Sequence, residues 1–213
     1  MDGNQRWAKE NNLNQIDGYQ KGLEKIKEII NFCLNANIKN LSIYALSAEN
    51  FKRGSVSIIF NLIKERYVNF LKEINEDNKV KIDIVGEKKN LSNDLLNIFS
   101  NVKKVTKNNK QLNLNILFNY GLQDELIHII KQIILKKKEV TYENIRSEMY
   151  LSEFSDPDIL IRTGGYQRLS NFIPLNLSYT ELFFTKSLWP NFSIEELNQI
   201  IKKYESIKRN YGL

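Results

Sequence analysis

Three polar stretches of the sequence carry residue types that can do chemistry together. The first is Met1-Asp2-Gly3-Asn4-Gln5-Arg6-Trp7-Ala8. Asp, Gly and Asn in a row permit a tight turn, and successive backbone N–H groups in such a turn form a nest for an anion. A carboxylate at Asp2 is at odds with an anion site unless a divalent cation bridges it to a phosphate. Mg2+ does this with one or two carboxylates plus substrate oxygens. Read alone, this stretch is better explained as an N-terminal cap. The second stretch, Ser47-Ala48-Glu49-Asn50-Phe51-Lys52-Arg53, follows an apolar run ending at Leu46. It sets hydroxyl, amide and guanidinium groups close together, and Arg53 can fork onto a phosphate. An ordinary strand-to-helix loop explains it equally well. The third, Ile161-Arg162-Thr163-Gly164-Gly165-Tyr166-Gln167-Arg168-Leu169-Ser170-Asn171-Phe172, leads from an apolar run into two glycines flanked by arginines and hydroxyls. The glycines let backbone approach a ligand closely, and Arg162, Arg168 and Ser170 can then wrap a diphosphate. Here the functional reading outweighs that of a plain surface loop. Glu181 precedes a further apolar run and is a candidate second metal carboxylate, although a charge at a strand entrance is the simpler explanation.

The elements that must position these groups follow from periodicity. Ile26, Ile29, Ile30, Cys33 and Leu34 make one apolar face of a helix over 19–36. Leu41–Leu46 reads as a strand. Ser55 to Asn75 reads as a long helix with Ile59, Leu62, Ile63, Tyr67, Phe70, Leu71 and Ile74 on one side. Val80–Val85 and Leu112–Phe118 alternate as strands do. Ser92 caps a helix to about Lys107, and Asp124–Lys137 is helical. Ile159–Ile161 and Leu182–Phe184 are short strands. Ser193, with Glu196 three residues on, forms a capping box that opens a last helix to about Arg209. Strand and helix alternate nearly throughout, which predicts an α/β fold with a mainly parallel sheet covered on both faces. In such sheets ligands sit where strands end and loops gather.

Composition narrows the function classes. The 213 residues, 42% hydrophobic, suit a single domain over 1–213. A net charge of +6 and a pI near 9.2 favour anionic partners without choosing among them. Neither a P-loop nor a Rossmann fingerprint occurs. With one cysteine and one histidine, a zinc site lacks ligands and an internal disulfide is impossible. His128 and Cys33 read as structural. No apolar run approaches the ~20 residues of a spanning helix, and the start has no apolar signal core. A cytoplasmic protein is expected.

In order and together, the polar stretches resemble the cis-prenyltransferases, the undecaprenyl-diphosphate-synthase family. That family's M-D-G-N-G-R-W-A reads MDGNQRWA here, and its Y-A-F-S-T-E-N-W-K-R-P reads YALSAENFKRG from Tyr44 to Gly54. Its D-P-D-L-L-I-R-T-G-G-E-x-R-L-S-N-F reads DPDILIRTGGYQRLSNF from Asp156 to Phe172. Its S-E-L-Y-F-T-x-x-L-W-P-x-F reads TELFFTKSLWPNF from Thr180 to Phe192. One such motif is suggestive, whereas four in order along the chain are highly specific.

The resemblance implies a Mg2+-dependent enzyme that joins isopentenyl diphosphate to an allylic diphosphate such as farnesyl diphosphate. The product would be a cis-polyprenyl diphosphate, with pyrophosphate released. It places Asp2 on the metal beside Gly3, Asn4, Gln5, Arg6 and Trp7, and Glu181 on the metal and isopentenyl side. Arg162, Arg168 and Ser170 would hold the isopentenyl diphosphate. Ser47, Asn50, Phe51 and Arg53 would line the reacting centre, with Ser47 and Asn50 placed for proton removal. It further implies an apolar product tunnel beside the 55–75 helix, a homodimer approached by the tail Arg209-Asn210-Tyr211-Gly212, and contact with a membrane surface when product leaves. Several positions depart from the family. Its Arg-x-x-Gly-His becomes Gln15-Ile16-Asp17-Gly18-Tyr19, at positions otherwise expected to touch substrate. Gln5 replaces Gly, Phe51 replaces Trp, Tyr166 replaces Glu, and Pro174-Leu175-Asn176 replaces Leu-Trp-Gln. Family members carry an apolar strand just before the first motif, inside their sheet; the sequence starts at the motif, and truncation is the expectation. A non-catalytic or weakly active accessory subunit of a prenyltransferase is the alternative, although such subunits usually lose the Asp motif that Asp2 preserves. Nucleic-acid binding rests on net charge alone and is not expected.

Overall fold

The computed structural model describes residues 1–49, 68–71, 73, 74, 78–89 and 91–208. Most of the expected 55–75 helix, the residues Asn50, Phe51 and Arg53, and the tail from Arg209 lie outside them.

Two helices come first, α1 (Asn4–Glu10) and α2 (Gln15–Asn35). The turn expected over the first motif is confined to Gly3, whose φ of 116° suits glycine; the residues after it wind into α1. Asn14 caps α2, its side chain accepting from the Asp17 N–H at 3.1 Å. The two helices pack closely because α2 presents Gly18 and Gly22. A Cβ at Gly18 would stand 2.4 Å from the Asn4 carbonyl, and one at Gly22 2.4 Å from Asn4 Oδ1.

The sheet then forms from β1 (Asn40–Ser47), β2 (Val80–Val85) and β3 (Leu112–Tyr120), with α3 (Asn93–Thr106) between the latter two. Their order is β1-β3-β2 and both pairings are parallel. As the central strand, β3 is buried along nearly its whole length, on both faces. The alternation of Leu112, Leu114, Ile116 and Phe118 therefore marks one covered face of two. Leu112, Leu114 and Ile116 join Ile26, Ile29, Ile30 and Cys33 of α2 in the main core. Leu117 and Tyr120 pack the opposite way, with Leu151 and Ile173.

Next come α4 (Leu122–Leu135) and α5 (Tyr142–Ser147), a short helix that periodicity does not reveal. Strands β4 (Ile159–Arg162) and β5 (Glu181–Phe184) form a separate parallel pair, so the described residues make two parallel sheets. The last helix, α6 (Ile194–Glu205), is shorter than expected. Ser193 Oγ accepts from the Glu196 N–H at 3.1 Å, which is one half of the predicted box. The Glu196 carboxylate, however, turns to the hydroxyls of Thr185 and Ser187 and so anchors α6 to the segment after β5.

Cys33 is 3% exposed within the main core, and burial pushes its thiol pKa up to about 12. Native protein at pH 8 should therefore react with iodoacetamide about a thousandfold more slowly than urea-unfolded protein, because thiolate is the reacting form. Equal rates, read by mass spectrometry, would place Cys33 outside a packed core.

Candidate active site

The backbone of Asp2 is held from two directions. Its N–H donates to Thr163 Oγ1 at 3.0 Å, and its carbonyl accepts from the Thr163 hydroxyl at 3.0 Å and from the Trp189 N–H at 2.9 Å. Thr163 is 2% exposed, so this clasp is shielded from water. It joins the start of the chain to the end of β4 and to the turn after β5. With its backbone fixed, the Asp2 carboxylate spans two guanidiniums. Arg6 Nη2 donates to Oδ1 at 3.2 Å, and Arg162 Nη2 donates to Oδ2 at 2.9 Å.

Gly164 and Gly165 follow directly, with φ of 90° and 80°. Their N–H groups donate to the carbonyls of Ser187 and Thr185, each at 2.8 Å, which ties the loop to the segment after β5. A Cβ on Gly164 would lie 2.5 Å from Arg6 Nη2 and 3.1 Å from Asp2 Cβ. The close approach that this glycine permits is therefore to the charged pair of the protein itself. Beyond it, Arg162 Nη1 donates to Ser170 Oγ at 2.8 Å and to the Arg168 carbonyl, and Arg168 Nε donates to Ser170 Oγ at 3.3 Å. Ser170 thus gathers both arginines. The Nε of Arg162 is buried without a partner.

Asp2, Gly3, Asn4, Gln5, Arg6, Tyr19, Ser47, Arg162, Arg168 and Ser170 all line one cavity of about 1240 Å³. Residues of β1 and β4 line it, with Ile29 of α2 and Leu197 of α6 among its apolar lining. Among the described residues, three predicted ones do not line it. Trp7 turns its indole N–H to Asn191 Oδ1 at 2.8 Å. Gln15 is exposed at the start of α2. Glu181 stands level with Ile159, whereas Arg162 is level with Phe184; three residues of strand, roughly 10 Å, separate the two levels.

Other residues emerge only in three dimensions. Thr163 is one. Asn171 is another: its Nδ2 donates to Glu49 Oε1 at 2.7 Å, its Oδ1 accepts from the Gln123 N–H at 3.2 Å, and its carbonyl accepts from the Leu122 N–H at 2.9 Å. It fastens the arginine loop to the end of β1 and to the start of α4. Tyr44 stacks on Phe172 with ring centroids 4.6 Å apart and donates its hydroxyl to the Tyr120 carbonyl at 2.9 Å. Burial first, and the charge of Glu49 second, raise the Tyr44 hydroxyl pKa above its ordinary value, so it remains a donor. Sequence signals existed for Asn171 in the third stretch and for Glu49 in the second, but not for their contact or for the backbone groups of Leu122 and Gln123. Two departures also meet: Gln5 Nε2 donates to the Tyr19 hydroxyl at 2.8 Å.

Among the described residues no group of three or more His, Cys, Asp or Glu is placed to hold a metal. Asp2 nevertheless suits a cation that arrives with a phosphate, because Mg2+ keeps several waters and takes one or two carboxylates plus substrate oxygens. Three guanidiniums and one carboxylate, lining a partly apolar cavity, form a cradle for an anion with a greasy tail.

Comparison with known proteins agrees with this chemistry. Residues 1–212 match the family described as "Putative undecaprenyl diphosphate synthase". An isoprenyl transferase of Aquifex pyrophilus is 36% identical over 215 residues, covering all of this chain and 93% of that one. One of Oceanobacillus iheyensis is 38% identical over 221 residues, covering all of this chain and 87% of that one. Among solved structures, a "probable undecaprenyl diphosphate synthase" of Campylobacter jejuni superposes with a TM-score of 0.82 at 32% identity, over 91% of this chain and 92% of that one. Lavandulyl diphosphate synthase of Lavandula x intermedia, in complex with dimethylallyl diphosphate, gives a TM-score of 0.91 at 26% identity over all of this chain and 95% of that one. With its four motifs and its fold in agreement, the chain belongs to the undecaprenyl diphosphate synthase family, the cis-prenyltransferases.

Proposed function

We propose that this protein condenses isopentenyl diphosphate with an allylic diphosphate to give a cis-polyprenyl diphosphate and pyrophosphate. The observation that carries this reading is the Asp2 carboxylate clamped between Arg6 and Arg162 in the lining of the cavity. In the reaction the allylic C–O bond breaks, a C–C bond forms to the isopentenyl unit, and one proton leaves.

Arg162, Arg168 and Ser170 hold the isopentenyl diphosphate; the unpartnered, buried Arg162 Nε supports an anion there. Arg6 and the Gly3-Asn4 backbone face the allylic diphosphate. Holding both diphosphates with their carbons aligned supplies much of the rate, and the fixed guanidiniums stabilise charge as it develops on the leaving group. Asp2 would hold Mg2+ against diphosphate oxygens, where the cation would offset the same charge. Ser47, which lines the cavity at the end of β1, would take part in proton removal together with Asn50. Glu181 is the candidate second carboxylate on the metal and isopentenyl side, although it stands three residues down β5 from the level of Arg162.

The reading includes a homodimer, for which the exposed Ile130, Ile134 and Leu135 of α4 offer apolar area. It also includes a cytoplasmic setting with membrane-surface contact during product release. Among the described residues no helix is long and apolar enough to cross a membrane.

Purified protein given farnesyl diphosphate, labelled isopentenyl diphosphate and Mg2+ should yield extended prenyl products, and chelator should stop it. Absence of product with the metal present would overturn the proposal. Asp2→Ala should lower turnover by about a hundredfold or more, with an unchanged circular dichroism spectrum. Arg162→Ala should raise the KM for isopentenyl diphosphate by about ten- to a hundredfold. Unchanged kinetics would remove Arg162 from the substrate site.

A further inference from the structure

The Tyr166 ring touches the arginine cluster at three places. The Arg168 guanidinium carbon lies 4.0 Å from the ring centroid, that of Arg6 4.9 Å and that of Arg162 5.9 Å. All three are within the ~6 Å at which an aromatic face attracts a cation. Arg6 and Arg162 have a carboxylate in Asp2 as well. Arg168 has no such ion pair among the described residues, and Ser170 gives it only a 3.3 Å hydrogen bond. Beside that bond, the aromatic face supports its charge. Tyr166 itself is 41% exposed and follows the two left-handed glycines, so its place over the arginines is set by the loop and not by core packing.

We propose that Tyr166 is a positioning residue, an aromatic platform that pre-arranges Arg168, Arg6 and Arg162 to receive a diphosphate. This rests on the assignment of those arginines to substrate given above. Three like charges near one another repel, and a long arginine side chain on an exposed loop loses rotamer freedom when it is fixed. The ring face offsets both effects before ligand arrives, which is where preorganisation raises affinity. Because the ring is neutral, it leaves the positive charge of the cluster available to phosphate. A carboxylate at 166 would gather the same arginines but would offset that charge. The motif that this stretch resembles carries Glu at the equivalent position, so the neutral ring is a departure from that pattern.

Pyrophosphate binding in the presence of Mg2+, followed by isothermal titration calorimetry on wild type, Arg162→Ala, Tyr166→Phe and Tyr166→Leu, tests the platform. Wild type should bind, and Arg162→Ala should weaken that binding. Tyr166→Leu should raise the Kd about five- to tenfold, the loss expected for contacts of this kind, with an unchanged melting temperature. Tyr166→Phe, which keeps the ring, should stay within about twofold of wild type. In turnover, Tyr166→Leu should raise the KM for isopentenyl diphosphate more than it lowers kcat. If wild type binds and Arg162→Ala does not, yet Tyr166→Leu matches wild type, the platform is overturned while the substrate assignment stands. Equal weakening in the Phe and Leu variants would also overturn it, by assigning the effect to the hydroxyl. If wild type binds no pyrophosphate, the assignment beneath the platform fails as well.

Discussion

The geometry of the site depends on one constraint: several positive side chains must be kept together before any anion is present. Unaided, Arg6, Arg162 and Arg168 would separate into solvent. A carboxylate placed between two of them removes part of the repulsion, but only if it cannot move. The Thr163 clasp on the Asp2 backbone supplies that fixity, and the Trp189 N–H adds to it. Much of the nearby architecture serves this single placement. Gly3 turns the chain into α1 so that Arg6, four residues after Asp2, comes back to it. Gly164 keeps its Cα side clear so that the pair can lie against the loop.

The two parallel sheets supply the frame. β1 ends at Ser47 and β4 at Arg162, so both strands deliver polar residues from the same kind of strand end. The loop after Arg168 would be loosely tethered without Asn171, which is bonded to Glu49 and to the first turn of α4. The tight contact of α1 with α2, made by Gly18 and Gly22, sets where Gln5 and Arg6 project. Trp189 contributes twice: its backbone supports Asp2, and its indole N–H donates to the Gly22 carbonyl at 2.9 Å. It therefore couples the helix pair to the turn that carries Asp2.

Much of this was legible in the sequence, for identifiable reasons. The apolar faces of α2 and β3, and the serine caps at Ser92 and Ser193, follow local rules and recur in the structure. The Arg162–Ser170 stretch reads as an anion cradle because two arginines and a hydroxyl cluster around a Gly-Gly turn. Other features depend on distances that linear order does not encode. α1 replaces an expected turn because a single glycine supplies the whole reversal. The placement of Glu181 depends on how far along β5 it sits, and the roles of Thr163 and Tyr166 depend on what lies across from them. Pattern alone gave Glu196 a conventional capping part, whereas two hydroxyls from another segment take its carboxylate.

The hydrogen bond between Gln5 and Tyr19 has a consequence for how this chain can change. Both positions differ from the family pattern, and they differ in contact with each other. They therefore behave as one linked character rather than two. Exchanging either side chain alone leaves the other facing a partner of the wrong shape or chemistry. A route between this chain and its relatives thus runs through a paired exchange across the α1–α2 junction, and grafting the region between homologues requires that both helices travel together.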